Sequence, residues 1–317
     1  MTLARLPLFE RLGPAKNVLV AGAGGGFDVY AGLPLFFALE AQGKRVHLAN
    51  LSFADLSGID ARALSPHLAT VTADSPGDDR YFPEKHLAAW FRAEEDREVA
   101  VHAFQKVGVR PLSEAYRNLV RHLGVDAIVL VDGGTDSLMR GDEAGLGTPV
   151  EDAASLAAAA ATDVPIKLLA CLGFGIDHFH GVAHRDVLEA IAELTRSGAF
   201  LGAFSVLGRM PEARRYLSAL AWVHERAPLR PSIVNGSIAS AIEGHFGDHH
   251  STTRTAGSEL FINPLMSLYF AFELGPVAER VLYRKAIAHT ETAFEMMAII
   301  EAFRAELTPK RRQPIPL

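Results

Sequence analysis

The chain has 317 residues, 49% hydrophobic and 21% charged, an ordinary globular composition long enough to bury a large core. Its net charge of −6, from 31 basic and 37 acidic residues, argues against a nucleic-acid partner, since the one basic block is Lys310-Arg311-Arg312 in a proline-flanked tail. A single cysteine, Cys171, excludes an internal disulfide; no apolar h-region over Met1–Leu12 and no apolar run of ~18 residues lead us to expect a cytoplasmic protein with no membrane partner.

Arg5 to Leu12 reads as a short amphipathic lead-in. The run Asn17–Gly22 predicts a buried strand that stops in a glycine-rich turn. A helix follows over 32–42, with Pro34 in its first turn and Gly43 closing it. Arg45–Leu51 is a second strand, so the first fifty residues form one β-α-β unit with short joints, the mark of a parallel sheet. Residues 61–81 are harder to place, although Leu68–Val71 has strand character. A helix is expected over 83–93, a strand over 98–104 and an amphipathic helix over 112–123, where Leu112, Tyr116, Leu119 and Leu123 share a face. The strand 127–131 leads to a second glycine turn and a polar loop at 140–150. Helix 151–162, strand 166–172, helix 185–196, strand 199–206 and helix 211–226 continue the alternation. After Pro231 the rhythm changes: helix 232–243, a histidine-rich loop at 244–251, an edge strand at 259–262, and one or two long helices over 276–307. No repeat and no linker appears, so the chain reads as one α/β domain over 1–317, with 232–317 as a helical C-terminal cap packed on it.

Several segments carry a resemblance: P-L-F-E (7–10), V-A-G-A-G-G-G-F-D-V (20–29), L-A-N-L-S-F (48–53), D-G-G-T-D-S-L-M-R-G-D-E (132–143), G-T-P-V-E-D (147–152) and I-N-P-L-M (262–266). On these, the chain resembles the domain-of-unknown-function family numbered 1152 over almost its whole length. The resemblance implies a Rossmann-like α/β fold and no particular activity. With the element order, it gives the expected class: α/β, doubly wound and Rossmann-like, with a mainly parallel sheet, helices on both faces and a helical C-terminal part.

Two turns repeat one pattern, Gly25-Gly26-Phe27-Asp28 and Gly133-Gly134-Thr135-Asp136. The first turn fits a dinucleotide fingerprint at Gly22 and Gly24, but Phe27 takes the third glycine position and Asn50 stands where an acid would hold the ribose. Asp28, at the start of a helix, repels a pyrophosphate unless a cation intervenes. NAD(P) is therefore the less favoured cofactor. Both turns are also similar to the S-G-G-x-D-S pyrophosphate loop of ATP pyrophosphatases, with Gly24 and Asp132 in place of the first serine and Val29 in place of the last. That likeness implies backbone N–H groups cradling oxyanions and an aspartate positioning Mg²⁺. The candidate cofactor contacts are Gly22, Gly24, Gly25, Gly26, Asp28, Asn50, Gly133, Gly134 and Thr135, with Asp28 and Asp136 as candidate Mg ligands.

Asp132, Asp136, Asp177 and His178 are the candidate catalytic residues, because each follows the carboxyl end of an expected strand. Turn formation and helix capping stay open for the aspartates, and Glu151 and Asp152 read as helix N-terminal acids. His180 and His184 leave metal binding, polar ligand contact and structural hydrogen bonding all open. The loop at 244–250 reads equally as a lid or a solvated turn. Cys171 reads as core, and Ser137 lacks a G-x-S-x-G elbow. The functional expectation is a small-molecule enzyme that binds a nucleotide, phosphorylated or polyhydroxylated ligand and catalyses carboxylate- or Mg-assisted hydrolysis or group transfer. An NAD(P)-type oxidoreductase and a non-catalytic nucleotide sensor are the alternatives, and a homo-oligomer stays open.

Overall fold

The computed structural model describes residues 2, 4–59 and 65–315, so part of the 61–81 stretch lies outside the described residues. The first half runs α1 (Pro7–Leu12), β1 (Asn17–Gly22), α2 (Asp28–Ala31), α3 (Leu33–Ala41), β2 (Arg45–Leu51), β3 (Leu68–Val71), α4 (Pro83–Glu95), β4 (Val101–Phe104), α5 (Val109–Leu123) and β5 (Ala127–Gly133). The second half runs α6 (Pro149–Ala160), β6 (Ile166–Leu172), α7 (His184–Arg196), β7 (Phe200–Ser205), α8 (Pro211–Arg226), α9 (Ile233–Ile242), β8 (Leu268–Glu273), α10 (Leu274–Arg280), α11 (Arg284–Ile287) and α12 (Ala293–Ala305).

The eight strands form one sheet in the order β3-β4-β2-β1-β5-β6-β8-β7. β4, β2, β1, β5 and β6 are parallel neighbours. β3 runs antiparallel to β4, and β8 antiparallel to both β6 and β7. The sheet is thus mostly parallel and mixed. From β1 the chain moves outward to β2 and β4, then returns to β5 on the other side of β1, so the strand order reverses between β1 and β5.

The inner strands are near-continuous apolar runs because both their faces are covered. Val18 and Val20 of β1 share a core with Phe36 of α3, Trp90 of α4 and Tyr216 of α8. Leu19 and Ala21, on the other face, pack with Leu112 of α5, Leu156 of α6 and Val277 of α10. Each large apolar side chain fully buried in these layers contributes about 1.5–3 kcal/mol.

The C-terminal third departs from expectation. The segment 232–317, read as a helical cap, also supplies β8, whose Tyr269–Phe272 run lies buried between β6 and β7. A short apolar run covered on both faces carries no alternation to distinguish strand from helix. The edge strand expected at 259–262 is only an isolated bridge between Gly247 and Ile262. The long helical region is three helices, α10, α11 and α12, the last opened by a Thr292–Glu295 capping box.

Candidate functional site

The glycine turn after β1 is held through its backbone by the neighbouring strands and by Asp28. Ala23 N donates to Val131 O of β5 at 2.8 Å, and Gly26 N to Leu51 O of β2 at 3.0 Å. Gly24 N donates to Asp28 Oδ2 at 2.6 Å. The turn after β5 repeats the device. Gly134 N donates to Leu172 O at 2.8 Å, Thr135 N to Asp177 Oδ2 at 2.6 Å, and Ser137 N to Asp132 Oδ2 at 3.2 Å. Further on, Thr148 N donates to Asp136 Oδ2 at 2.7 Å. Of the amides expected to cradle an oxyanion, those of Gly24, Gly26, Gly134 and Thr135 are engaged by carboxylates and carbonyls of the chain itself.

Four candidate aspartates therefore gather at the carboxyl ends of β1, β5 and β6, each pinned by at least one loop amide. A fifth joins them. Asp152 sits in the first turn of α6, as the sequence reading of Asp152 as a helix N-terminal acid expects, yet its carboxylate turns into the cluster. Ligand oxygens of Asp132, Asp136 and Asp152 lie within 4.8 Å of one another. All five aspartates are buried. None pairs with Lys or Arg among the described residues, and His180 is the group whose charge acts on Asp136. Asp152 Oδ1 is buried with no hydrogen-bond partner, facing the first turn, where a Cβ at Gly24 would lie 2.8 Å away.

The electrostatics follow from that geometry. Burial, then the charges of Asp132 and Asp136, pushes Asp28 well above the usual carboxyl range. Asp152 and Asp177 are raised by burial and by the same two neighbours. Burial and then Asp136 raise Asp132 to about 7, against the hydrogen bonds of Ser137. Burial also raises Asp136, partly offset by Thr148. The cluster is thus a place where protons or a cation must balance charge.

The family model described as "Protein of unknown function (DUF1152)" matches residues 19–306. The chain belongs to that family. No curated protein and no solved structure matches it.

One DUF1152 segment brings in two residues that the sequence reading did not place in the site. G-T-P-V-E-D (147–152) contributes Thr148 and Asp152; its closeness in sequence to the second turn is the one signal of this. Glu143 accepts from Arg140 N and Gly141 N, and Asp142 pairs with Arg140, so both shape the connecting loop. Glu151 pairs with Lys106.

Asn50 is fully buried at the end of β2. Its Nδ2 donates to Gly26 O at 2.8 Å and to Glu84 Oε1 at 2.7 Å, fastening the first turn to α4. Burial pushes Glu84 up to about 7. Asn50 Oδ1 lies against Gly22, where any Cβ would overlap it.

His178 is exposed and accepts from Arg312 Nη2 at 2.7 Å, lining an apolar cavity of about 790 Å³ with Phe174, Leu188, Phe246 and Phe261. In the histidine-rich loop, His250 pairs with Asp248 at 3.0 Å, and His245 stacks on His249 with ring centres 3.7 Å apart. Arg254 donates to Pro231 O and Thr255 to Thr252 O, so both serve the loop. Cys171 is buried in β6, 3.6 Å from Ser137 Oγ. No helix among the described residues is long and apolar enough to cross a membrane.

Proposed function

We propose that the chain is an enzyme acting on a nucleotide, phosphorylated or polyhydroxylated small molecule, with Asp132, Asp136 and Asp152 binding a divalent cation. One observation carries this reading: Asp152 Oδ1 is a buried carboxylate oxygen with no partner, set among acids that lack a Lys or Arg counter-charge among the described residues. An uncompensated buried carboxylate costs several kcal/mol, so such a cluster calls for a bound cation or for protons. Clustered hard oxygen ligands suit Mg²⁺ or Mn²⁺ over a thiophilic metal. When bound, a divalent cation polarises a phosphoryl or carbonyl oxygen or lowers the pKa of bound water.

The chain's own residues prepare that site. Loop amides fix one oxygen of Asp132 and one of Asp136, and the Thr148 hydroxyl contacts one of Asp152, which reduces reorganisation on binding. The cluster lies where the strand order reverses between β1 and β5; in a doubly wound, Rossmann-like sheet, that crevice is where ligands bind. Asp132, with its raised pKa, suits proton transfer in hydrolysis or group transfer. Hydride transfer has less support, since Gly24 N, which would meet a pyrophosphate, is bonded to Asp28, and Asn50 holds Gly26 and Glu84.

Calorimetric titration of metal-free protein with Mg²⁺ and Mn²⁺ tests the reading. One saturable site is expected, lost in Asp136→Asn and Asp152→Asn, followed by turnover in a panel of phosphoesters and nucleotides. Titrations without saturable cation binding in the natural chain would remove the proposal. Cation binding with no turnover of any bound compound would favour a sensor.

A further inference from the structure

A second large cavity, about 710 Å³, lies between α5, α6, α10 and α11. Its floor is made of small side chains, Ala157, Ala160 and Ala161 of α6 and Ala278 of α10, which leave space in the helix packing. Around them stand Arg110, Arg117, Arg284, Lys285 and His289. Arg117 falls on the same face of α5 as Val109 and Ser113, which also line the cavity.

Most of this positive charge is unanswered. Arg110 bonds to Glu291, and Glu114 also acts on it. Arg117, Arg284, Lys285 and His289 have no acidic partner among the described residues, although the chain carries a net charge of −6. Glu279 is the acid on the cavity wall and pairs with none of them. Nor do these cations serve the negative end of α6: Lys167 Nζ already donates to Ala160 O at 2.8 Å and Thr162 O at 2.7 Å. Like charges held around a concave surface repel one another, and a multivalent anion relieves that repulsion. Arginine forks and a lysine converging on one space match the oxygens of linked phosphates.

We propose that this cavity binds a compact multivalent anion, the diphosphate group of a phosphorylated metabolite or free pyrophosphate. Asp152 and Ala157, the lining residue of α6 nearest those acids, are five positions apart, about 7.5 Å along its axis and about 140° around it, and no aspartate of the cluster lines the cavity.

The test is calorimetric titration of the full chain with inorganic pyrophosphate, a chelator keeping cations off the carboxylates. ADP, orthophosphate and a single-stranded oligonucleotide are titrated in parallel. One saturable pyrophosphate site is expected, weakening with added salt. Arg284→Ala/Lys285→Ala alters exposed side chains and should weaken binding by roughly ten-fold or more, and Arg117→Gln independently by a similar factor. Tighter binding of ADP than of pyrophosphate assigns the site to an organic diphosphate, and the reverse order to the free ion. No saturable binding, unchanged affinity in both variants, orthophosphate binding as tightly as pyrophosphate, or preference for the oligonucleotide would each overturn the proposal.

Discussion

Asp136 and Asp152 share one hydroxyl: Thr148 Oγ1 lies 2.9 Å from Asp136 Oδ2 and 3.0 Å from Asp152 Oδ2. A hydroxyl has one proton, so Thr148 donates it to one carboxylate or shares it between the two as a three-centre bond, tying both acids to the start of α6. Thr148→Val keeps the shape and the backbone bond to Asp136 but removes this bridge. The variant should lose about 1–3 kcal/mol, read from its denaturation midpoint. Under the cation reading, affinity for Mg²⁺ should also fall by about ten-fold or more, as when a group orienting a metal ligand is lost. Unchanged stability would show that the bridge carries no weight.

Stability should depend on pH in a direction set by the raised carboxyls. Asp28, Asp136, Asp152 and Asp177 are all shifted up, and Asp132 and Glu84 reach about 7. A carboxyl whose pKa is higher folded than unfolded binds its proton more tightly in the folded state. Its stabilising contribution is complete below the unfolded value of about 4 and is lost as pH rises through the folded value. His102 and His224, both lowered to about 4 by burial, act in the opposite sense, so the carboxyl share is read as the melting temperature of the metal-free natural chain relative to Asp132→Asn, which should fall as pH rises from about 4 through about 7. Divalent cation should restore it at the upper end and do little at the lower. A relative melting temperature that climbs across the same window would contradict the cluster's electrostatics.

Gly147 has φ +67°, and a Cβ there would overlap the Asp136 carboxylate. Gly43 offers the control, with φ +78° and no atom within 4 Å of a Cβ. Gly43→Ala should cost only the backbone strain, about 1–2 kcal/mol. Gly147→Ala should cost that and also displace Asp136, so it should melt lower than Gly43→Ala and lose cation affinity that the control keeps. Equal melting of the two variants would show that Asp136 moves without consequence.

Much of this architecture was legible in apolar runs. β1, β5 and β6 are covered on both faces, so their sequences are mainly hydrophobic and end in glycine turns. The turns in turn pointed to Asp28, Asp132, Asp136 and Asp177, because residues just past parallel strands share one sheet edge. β8 was not legible, since Leu268–Glu273 enters the sheet antiparallel after a long excursion that no local pattern records. Asp152 was hidden differently: its position in the first turn of α6 already explains an acid, and only the packing of α6 against β5 turns its carboxylate into the cluster. Nor could spacing tell that the loop amides hold the chain's own carboxylates, because a backbone donor leaves no mark on residue type.

Asn50 separates the carboxylate reading from a nicotinamide one. An aspartate at the end of β2 would supply the acid that a dinucleotide site uses for its ribose. In this chain the position is fully buried, and Asn50 Nδ2 donates to both Gly26 O and Glu84 Oε1. Asn50→Asp replaces that donor with a second acid beside Glu84, leaving Gly26 O without its partner and two carboxyls in one dry space. The variant should be destabilised by about 2–4 kcal/mol, from the lost bonds and the buried like charge. The loss should deepen above about pH 7, where Glu84 gives up its proton in the natural chain. It should gain no affinity for nicotinamide cofactors, measured by thermal shift and fluorescence. A stable Asn50→Asp protein that binds NAD(P) would mean that the first turn is a dinucleotide loop after all.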